Sequence, residues 1–148
     1  MAEIGRQAVS EVLNSGLPER YEITFSEAHP GRAARIEGDA ALLRRMLDNL
    51  IRNSIIHNPQ GCHISVTVSA EDGRCTCTVT DDGVGMDAAR LEALNREADV
   101  SSTQSGEHGL GLKLVRQIVM AHGGTVQFRQ AVPQGLEVSI VFSTSHDE

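Results

Sequence analysis

Apolar positions along the chain follow two rhythms, one helical and one alternating, and the switches between them mark out the elements. Ile4, Ala8, Val12 and Leu13 predict a short amphipathic helix over 3–14, broken by Gly16 and Pro18. Tyr21-Glu22-Ile23-Thr24-Phe25 alternates and predicts a strand. Residues 26–34 read as a polar loop, and Arg35-Ile36-Glu37 as a short strand. Asp39 is the N-cap of the longest helix. Its core stripe is Leu42, Leu43, Met46, Leu47 and Leu50, with Arg44, Arg45, Asp48 and Arg52 opposite, and Asn58-Pro59-Gln60-Gly61 ends it. Ile64, Val66 and Val68 alternate, Glu71-Asp72-Gly73-Arg74 turns, and Cys75, Cys77 and Val79 return as the second arm of a hairpin. A short helix is expected over about 87–95.

Residues 96–108 are polar, with little to bury, and predict a loop long enough to serve as a lid. Gly109 and Gly111 then open a helical pattern, in which Leu112, Val115, Ile118 and Val119 recur and Leu114 and Met120 flank. Gly123-Gly124 stops it. Val126 and Phe128 begin a strand, Pro133-Gln134-Gly135 turns, and Leu136, Val138, Ile140 and Phe142 alternate in the last one. The tail, 143–148, is polar. No internal repeat is visible. The whole predicts an α+β fold: a two-layer sandwich in which an antiparallel or mixed sheet of about five strands is covered on one face by three helices.

The 148 residues suit one domain spanning 1–148. A net charge of −7, no block of Lys or Arg and 3% aromatic residues argue against nucleic-acid binding. They also require any anion site to be local and built from backbone. No apolar run approaches the roughly 18 residues of a membrane span, so no membrane contact is expected. Glu3 and Arg6 interrupt any signal-peptide pattern. The three cysteines lack C-x-x-C spacing and read as reduced thiols of a cytoplasmic protein.

Three stretches carry candidate chemistry. The first is the glycine turn at the head of the last helix, where unpaired N–H groups and the positive end of the dipole suit phosphate. Leu114 stands where a Rossmann fingerprint needs its third glycine, and the Gly-Lys-Ser/Thr of a P-loop is missing, so neither of those designs applies. The second is Asn49 and Asn53, four apart on one helix face. An amide oxygen is a hard, neutral ligand that suits Mg²⁺ already carrying phosphate oxygens. The third is Asp81 with Gly83 and Gly85, an acid at a strand end that can accept from a ligand amino group. Taken singly, each has a plainer reading: an ordinary helix start, two solvated amides, a common turn.

In order and spacing the three together resemble the Bergerat-fold ATP-binding family, which includes sensor histidine kinases, Hsp90-type chaperones, type II topoisomerases and MutL. Asp48-Asn49-Leu50-Ile51-Arg52-Asn53-Ser54 through His57-Asn58-Pro59 is similar to its N box. Asp81-Asp82-Gly83-Val84-Gly85 resembles its first glycine box, and His108-Gly109-Leu110-Gly111-Leu112 its second. The run Leu112-Lys113-Leu114-Val115-Arg116 through Ala121-His122-Gly123-Gly124 is most similar to histidine kinases.

The resemblance implies that Asp81 bonds the adenine amino group of ATP and that Asn53 coordinates Mg²⁺. Asn49 would stand where water-activating relatives carry Glu, and an amide cannot act as a general base. Gly83, Gly85 and Met86 would complete the nucleotide-binding set, and His57 would either contact the nucleotide or cap its helix. Backbone N–H groups of Gly109, Leu110, Gly111 and Leu112 would meet the phosphates, with His108 as a further donor. Lys113 and Arg116 read as solvated. Residues 96–108 would form the ATP lid.

The sequence departs from the family at Ile56, where Lys is common, and in Leu91-Glu92-Ala93-Leu94-Asn95-Arg96, which lacks the usual Phe. Arg52 and Arg96 are then the cations on hand for the γ-phosphate. None of the six histidines lies in a phosphoacceptor-like helix. The expectation is therefore a catalytic module of a longer kinase. Its partners would be a helical dimerisation and phosphoacceptor domain and a response-regulator receiver domain. Two competing readings share the fold: a free-standing serine kinase that sequesters a sigma factor, and a nucleotide-binding module without transfer activity.

Overall fold

A computed structural model describes residues 1–28, 36–96 and 106–144, and of residues 106–111 the backbone only. Four helices and five strands follow the order α1 (Ala2–Asn14), β1 (Tyr21–Ala28), α2 (Ala40–His57), β2 (Cys62–Glu71), β3 (Arg74–Asp81), α3 (Ala88–Asn95), α4 (Gly106–Ala121), β4 (Thr125–Gln130) and β5 (Leu136–Ser143). The strands form one sheet in the order β1-β2-β3-β5-β4. Only β1 and β2 pair in parallel, joined through α2, so the sheet is mixed. Asp72 and Gly73, both at positive φ, make the tight turn of the β2–β3 hairpin.

Alternation decides which face of the sheet is covered. Ile64, Val66 and Val68 of β2, Cys75, Cys77 and Val79 of β3, and Val138, Ile140 and Phe142 of β5 all point inward. They meet Ala8 and Val12 of α1, Met46, Leu47 and Leu50 of α2, and Val115 and Val119 of α4 in one core. Between the inward residues, Ser65, Thr67 and Ser69 pair across the strands with Thr80, Thr78 and Thr76, so the other face is a lattice of hydroxyls. This is the predicted two-layer α+β sandwich: α1, α2 and α4 are the three long helices, and α3 is the short one expected over 87–95.

Several local expectations differ from the structure. β1 runs on to Ala28, beyond the predicted Phe25. Ile36 and Glu37 are not in a strand; Arg35 lies outside the described residues. Leu42 is 37% exposed, whereas Ile51 is fully buried. The helical period explains the exchange. Leu42 lies about two turns from Asn49 and three from Asn53, on the flank of α2 that carries the amides and not on the core stripe. Arg44, on the other flank, bonds Gln7 and Glu11 of α1. Arg116 donates to the Leu94 carbonyl and ties α4 to α3.

α4 begins at Gly106, inside the stretch predicted as lid; residues 97–105 lie outside the described ones. Once Leu112 and Val115 anchor the helix, each added residue gains a bond, and the pattern propagates backward through both glycines. The short helix α3 is tied to β4 by one side chain. Asn95 Nδ2 donates to the Phe128 carbonyl at 2.8 Å, and the Phe128 N–H donates to Asn95 Oδ1 at 2.9 Å. Among the described residues no helix is long and apolar enough to cross a membrane.

The two leucines of α2 separate core from flank in an experiment. Leu47→Ala is expected to cost about 3 kcal/mol in urea unfolding, and Leu42→Ala under about 1 kcal/mol. Equal losses would show that the stripe had been drawn on the wrong flank.

Candidate functional site

At the end of β3 the backbone delivers Asp81 inward, among the core side chains. A carboxylate placed there must be met by donors, because burial without them costs several kcal/mol. Asp81 is 3% exposed and is met three times. Ser54 Oγ donates to Oδ2 at 2.9 Å. The Gly83 N–H donates to Oδ1 at 2.9 Å, and the Leu136 N–H reaches the same oxygen at 3.3 Å. An ionised carboxylate has about four acceptor sites. Among the described residues, one site is left over.

The turn after Asp81 is shaped by Asn58. Its Oδ1 accepts from the Val84 N–H at 2.8 Å, and its Nδ2 donates to the Ser54 carbonyl at 2.8 Å. A Cβ on Gly83 would fall 2.0 Å from that Oδ1, so only glycine lets the loop approach. The Asn58 carbonyl in turn accepts from the Tyr21 hydroxyl at 2.7 Å. Gly85 has φ +72, and Met86 turns back into the core. Outside the sheet, Asp82 Oδ1 accepts from the His63 N–H at 2.8 Å.

α2 carries the amides. Asn53 is 6% exposed and directly precedes Ser54, the residue that donates to Asp81. Asn49, one turn earlier, is half-buried, and so is His57, the last residue of the helix. α4 packs against α2 and carries the second glycine stretch. Leu112 is buried in the core.

The glycine turn needs a correction. A helix that begins at Gly106 leaves the N–H groups of residues 106–108 without an intrahelical partner. Gly109, Leu110, Gly111 and Leu112 come after them, and their amides lie inside α4. The side chains of His108 and Leu110 lie outside the described residues. Of the two cations considered for the γ-phosphate, Arg52 pairs with Asp48 at 2.9 Å and Arg96 with Glu92 at 3.2 Å.

Sequence reasoning singled out Asp81, Asn49 and Asn53, gave Ser54 no role of its own and read Asn58 only as part of the stop to α2 and of the N box. One signal was present. Ser54 follows Leu50 by four residues, which places a hydroxyl on the apolar stripe, and a buried hydroxyl requires a partner.

The cysteines report on the field around Asp81. Burial first, then the charges of Asp81 and Asp82, raise the Cys62 thiol from the ordinary 9.0 to about 11. Burial raises Cys75 as well and pushes Cys77 up to about 12. At pH 8 only about one Cys62 in a thousand is thiolate, so iodoacetamide should label the folded chain slowly and the urea-unfolded chain fast. Asp82→Asn should lower the Cys62 pKa and speed its labelling selectively. Equal labelling rates in folded and unfolded chains would contradict this burial.

Residues 38–146 match the family of histidine kinase-, DNA gyrase B- and HSP90-like ATPases. Sensor histidine kinase YvrG of Bacillus subtilis is 29% identical over 142 residues, 93% of this chain and 24% of that protein. The heme sensor protein HssS of Staphylococcus saprophyticus is 33% identical over 107 residues, 72% of this chain and 23% of that protein. The chain thus spans about a quarter of the length of these relatives. Among solved structures, the nucleotide-free catalytic domain of histidine kinase ThkA superposes with a TM-score of 0.81 at 18% identity, covering 98% of this chain and 94% of that one, a likeness of fold. Full-length ShkA in complex with AMPPNP gives 0.77 at 26% identity, over 99% of this chain and 31% of that one. With a buried acid, an amide-bearing helix and a glycine-rich helix set in this mixed sheet, the chain belongs to the histidine kinase-, DNA gyrase B- and HSP90-like ATPase family.

Proposed function

We propose that the chain is the catalytic ATP-binding domain of a sensor histidine kinase and passes the γ-phosphoryl group of ATP to a histidine on a separate helical domain. The observation that carries this reading is the acceptor site that the described residues leave on Asp81. Three protein donors fix the carboxylate, and what remains matches one N–H of an exocyclic amine. Adenine has such an amine. Guanine presents a carbonyl at the corresponding ring position, and the carboxylate would repel it. Asp81 thereby selects ATP over GTP.

The amide flank of α2 serves the phosphate end. Asn53 offers a neutral, hard oxygen of the kind Mg²⁺ accepts alongside phosphate oxygens and water, so the residues present fit that ion. Bound there, the ion would neutralise charge on the phosphates. Asn49 cannot take a proton from water, so the site is built for transfer and not for hydrolysis. In transfer, a neutral imidazole nitrogen of the helical partner forms the bond to the γ-phosphorus, and the bond to the bridging oxygen breaks with its electrons leaving on ADP. This chain's contribution is positioning and charge stabilisation.

His57, Gly83, Gly85 and Met86 would surround the nucleotide. Gly109, Leu110, Gly111 and Leu112, with His108, would meet its phosphates, and residues 96–108 would close over it. Gly109 and Gly111, both inside α4, lower helix stability by roughly 1 kcal/mol each relative to Ala, so unwinding that start to free its amides for a phosphate costs little. After transfer, the phosphohistidine would be the donor to a response-regulator receiver domain.

Calorimetry with Mg-ATP should show binding by the wild-type chain, at least about tenfold weaker binding by Asp81→Asn, and none of comparable strength with Mg-GTP. Unchanged affinity in Asp81→Asn that still unfolds cooperatively would remove the adenine assignment. Mixed with labelled Mg-ATP and a matching helical domain, the chain should yield acid-labile label on histidine. Acid-stable label on a partner serine would instead favour the sigma-factor kinase reading.

A further inference from the structure

His122 lies outside the nucleotide site, yet its ring is bonded at both nitrogens. α4 ends with the Gly124 N–H bonded to the Val119 carbonyl and the Gly123 N–H to the Met120 carbonyl, each at 3.0 Å, with Gly123 at φ +72. This pair of bonds stops the helix and fixes His122 as its C-cap. His122 Nδ1 lies 2.8 Å from the Ile118 carbonyl, which can only accept, so Nδ1 carries the hydrogen. Nε2 is then bare and accepts from the Asp39 N–H at 3.1 Å.

Asp39 is the N-cap of α2, and its carboxylate accepts from the Ala41 and Leu42 N–H groups at 2.9 and 3.2 Å. In a capping box, a Glu or Gln at the third helical position returns to the N-cap N–H. That position here is Leu42, which cannot. His122 supplies the missing acceptor from another helix. The seat is shaped for it: a Cβ on Gly38 would fall 2.2 Å from His122 Cδ2, and the Phe142 ring of β5 meets the imidazole edge-on, centroids 6.2 Å apart.

We propose that His122 is a positioning residue, a clamp that sets how the amide flank of α2 lies against the glycine-rich start of α4. This rests on the nucleotide reading above. α2 and α4 pack against each other, and beyond the clamp α2 carries the amides and α4 the glycine stretch. From Asp39 to Asn53 is about 21 Å of helix, and from His122 back to Gly109 about 20 Å, at 1.5 Å per residue. Asn53 and Gly109 thus lie comparable helix lengths from the clamp, so a slip there is passed along both helices to the residues at their far ends. Misplacement by about 1 Å is enough to cost a catalytic site up to about a hundredfold.

The test titrates the 148-residue chain with adenosine, which needs only the Asp81 end, and with Mg-ATP, which needs both ends. His122→Asn keeps the bond to Ile118 and loses the reach to Asp39; His122→Gln places an oxygen where Nε2 stood. Mg-ATP should bind about three- to tenfold more weakly to His122→Asn, with adenosine affinity unchanged, and His122→Gln should restore it. Gly38→Ala, which displaces the ring, should behave as His122→Asn does. Amide exchange at Asp39 should quicken in His122→Asn and Gly38→Ala and stay slow in His122→Gln. Equal weakening of both ligands, or wild-type Mg-ATP affinity in His122→Asn, would overturn the proposal. A wild-type chain that binds neither ligand removes the nucleotide reading and this inference with it, while Asp39 exchange still reports the clamp by itself.

Discussion

A carboxylate inside a protein must be surrounded by donors before anything else around it can be arranged. Asp81 obtains its donors from three elements that the chain visits far apart: a hydroxyl of α2, an amide of its own turn and an amide at the start of β5. Those bonds fix where α2 sits over the sheet and where the loop after β3 turns. Among the described residues they leave the acid with one unfilled direction, the one that the proposed adenine contact would use. Asn58 extends the same logic by one layer, joining the end of α2 to the glycine turn while its own carbonyl is held by Tyr21.

α2 divides its circumference among three tasks. One stripe is core, one flank bonds to α1 through Arg44, and the other carries Leu42, Asn49 and Asn53. The amides are affordable there because the core stripe and the Asp39 cap already hold the helix, so two mediocre helix formers do not endanger it.

Much of this was legible in the residues because alternation and helical spacing are direct records of burial. β2, β3 and β5 alternate strictly, and both the hairpin at Asp72-Gly73 and the helix stop at Gly123 are written in residue types that favour those conformations. Leu42 was misplaced because a leucine at a stripe's edge carries the same letter as one at its centre. The start of α4 was misplaced because glycine and polar residues argue against a helix locally, whereas hydrogen-bond propagation from an anchored turn argues for one. The roles of Ser54, Asn58 and His122 depend on partners between 26 and 83 residues away, and no local pattern encodes such pairings.

The reciprocal bonds of Asn95 have a bearing beyond holding α3 in place. β4 is the last strand of the sheet, and its open side would otherwise offer free N–H and carbonyl groups to any extended segment that drifted near. Asn95 occupies both groups of Phe128 with an amide that imitates one unit of a neighbouring strand and then ends. The sheet is thereby closed to further growth at the middle of that border, and two copies cannot zip together there into a continuous ribbon.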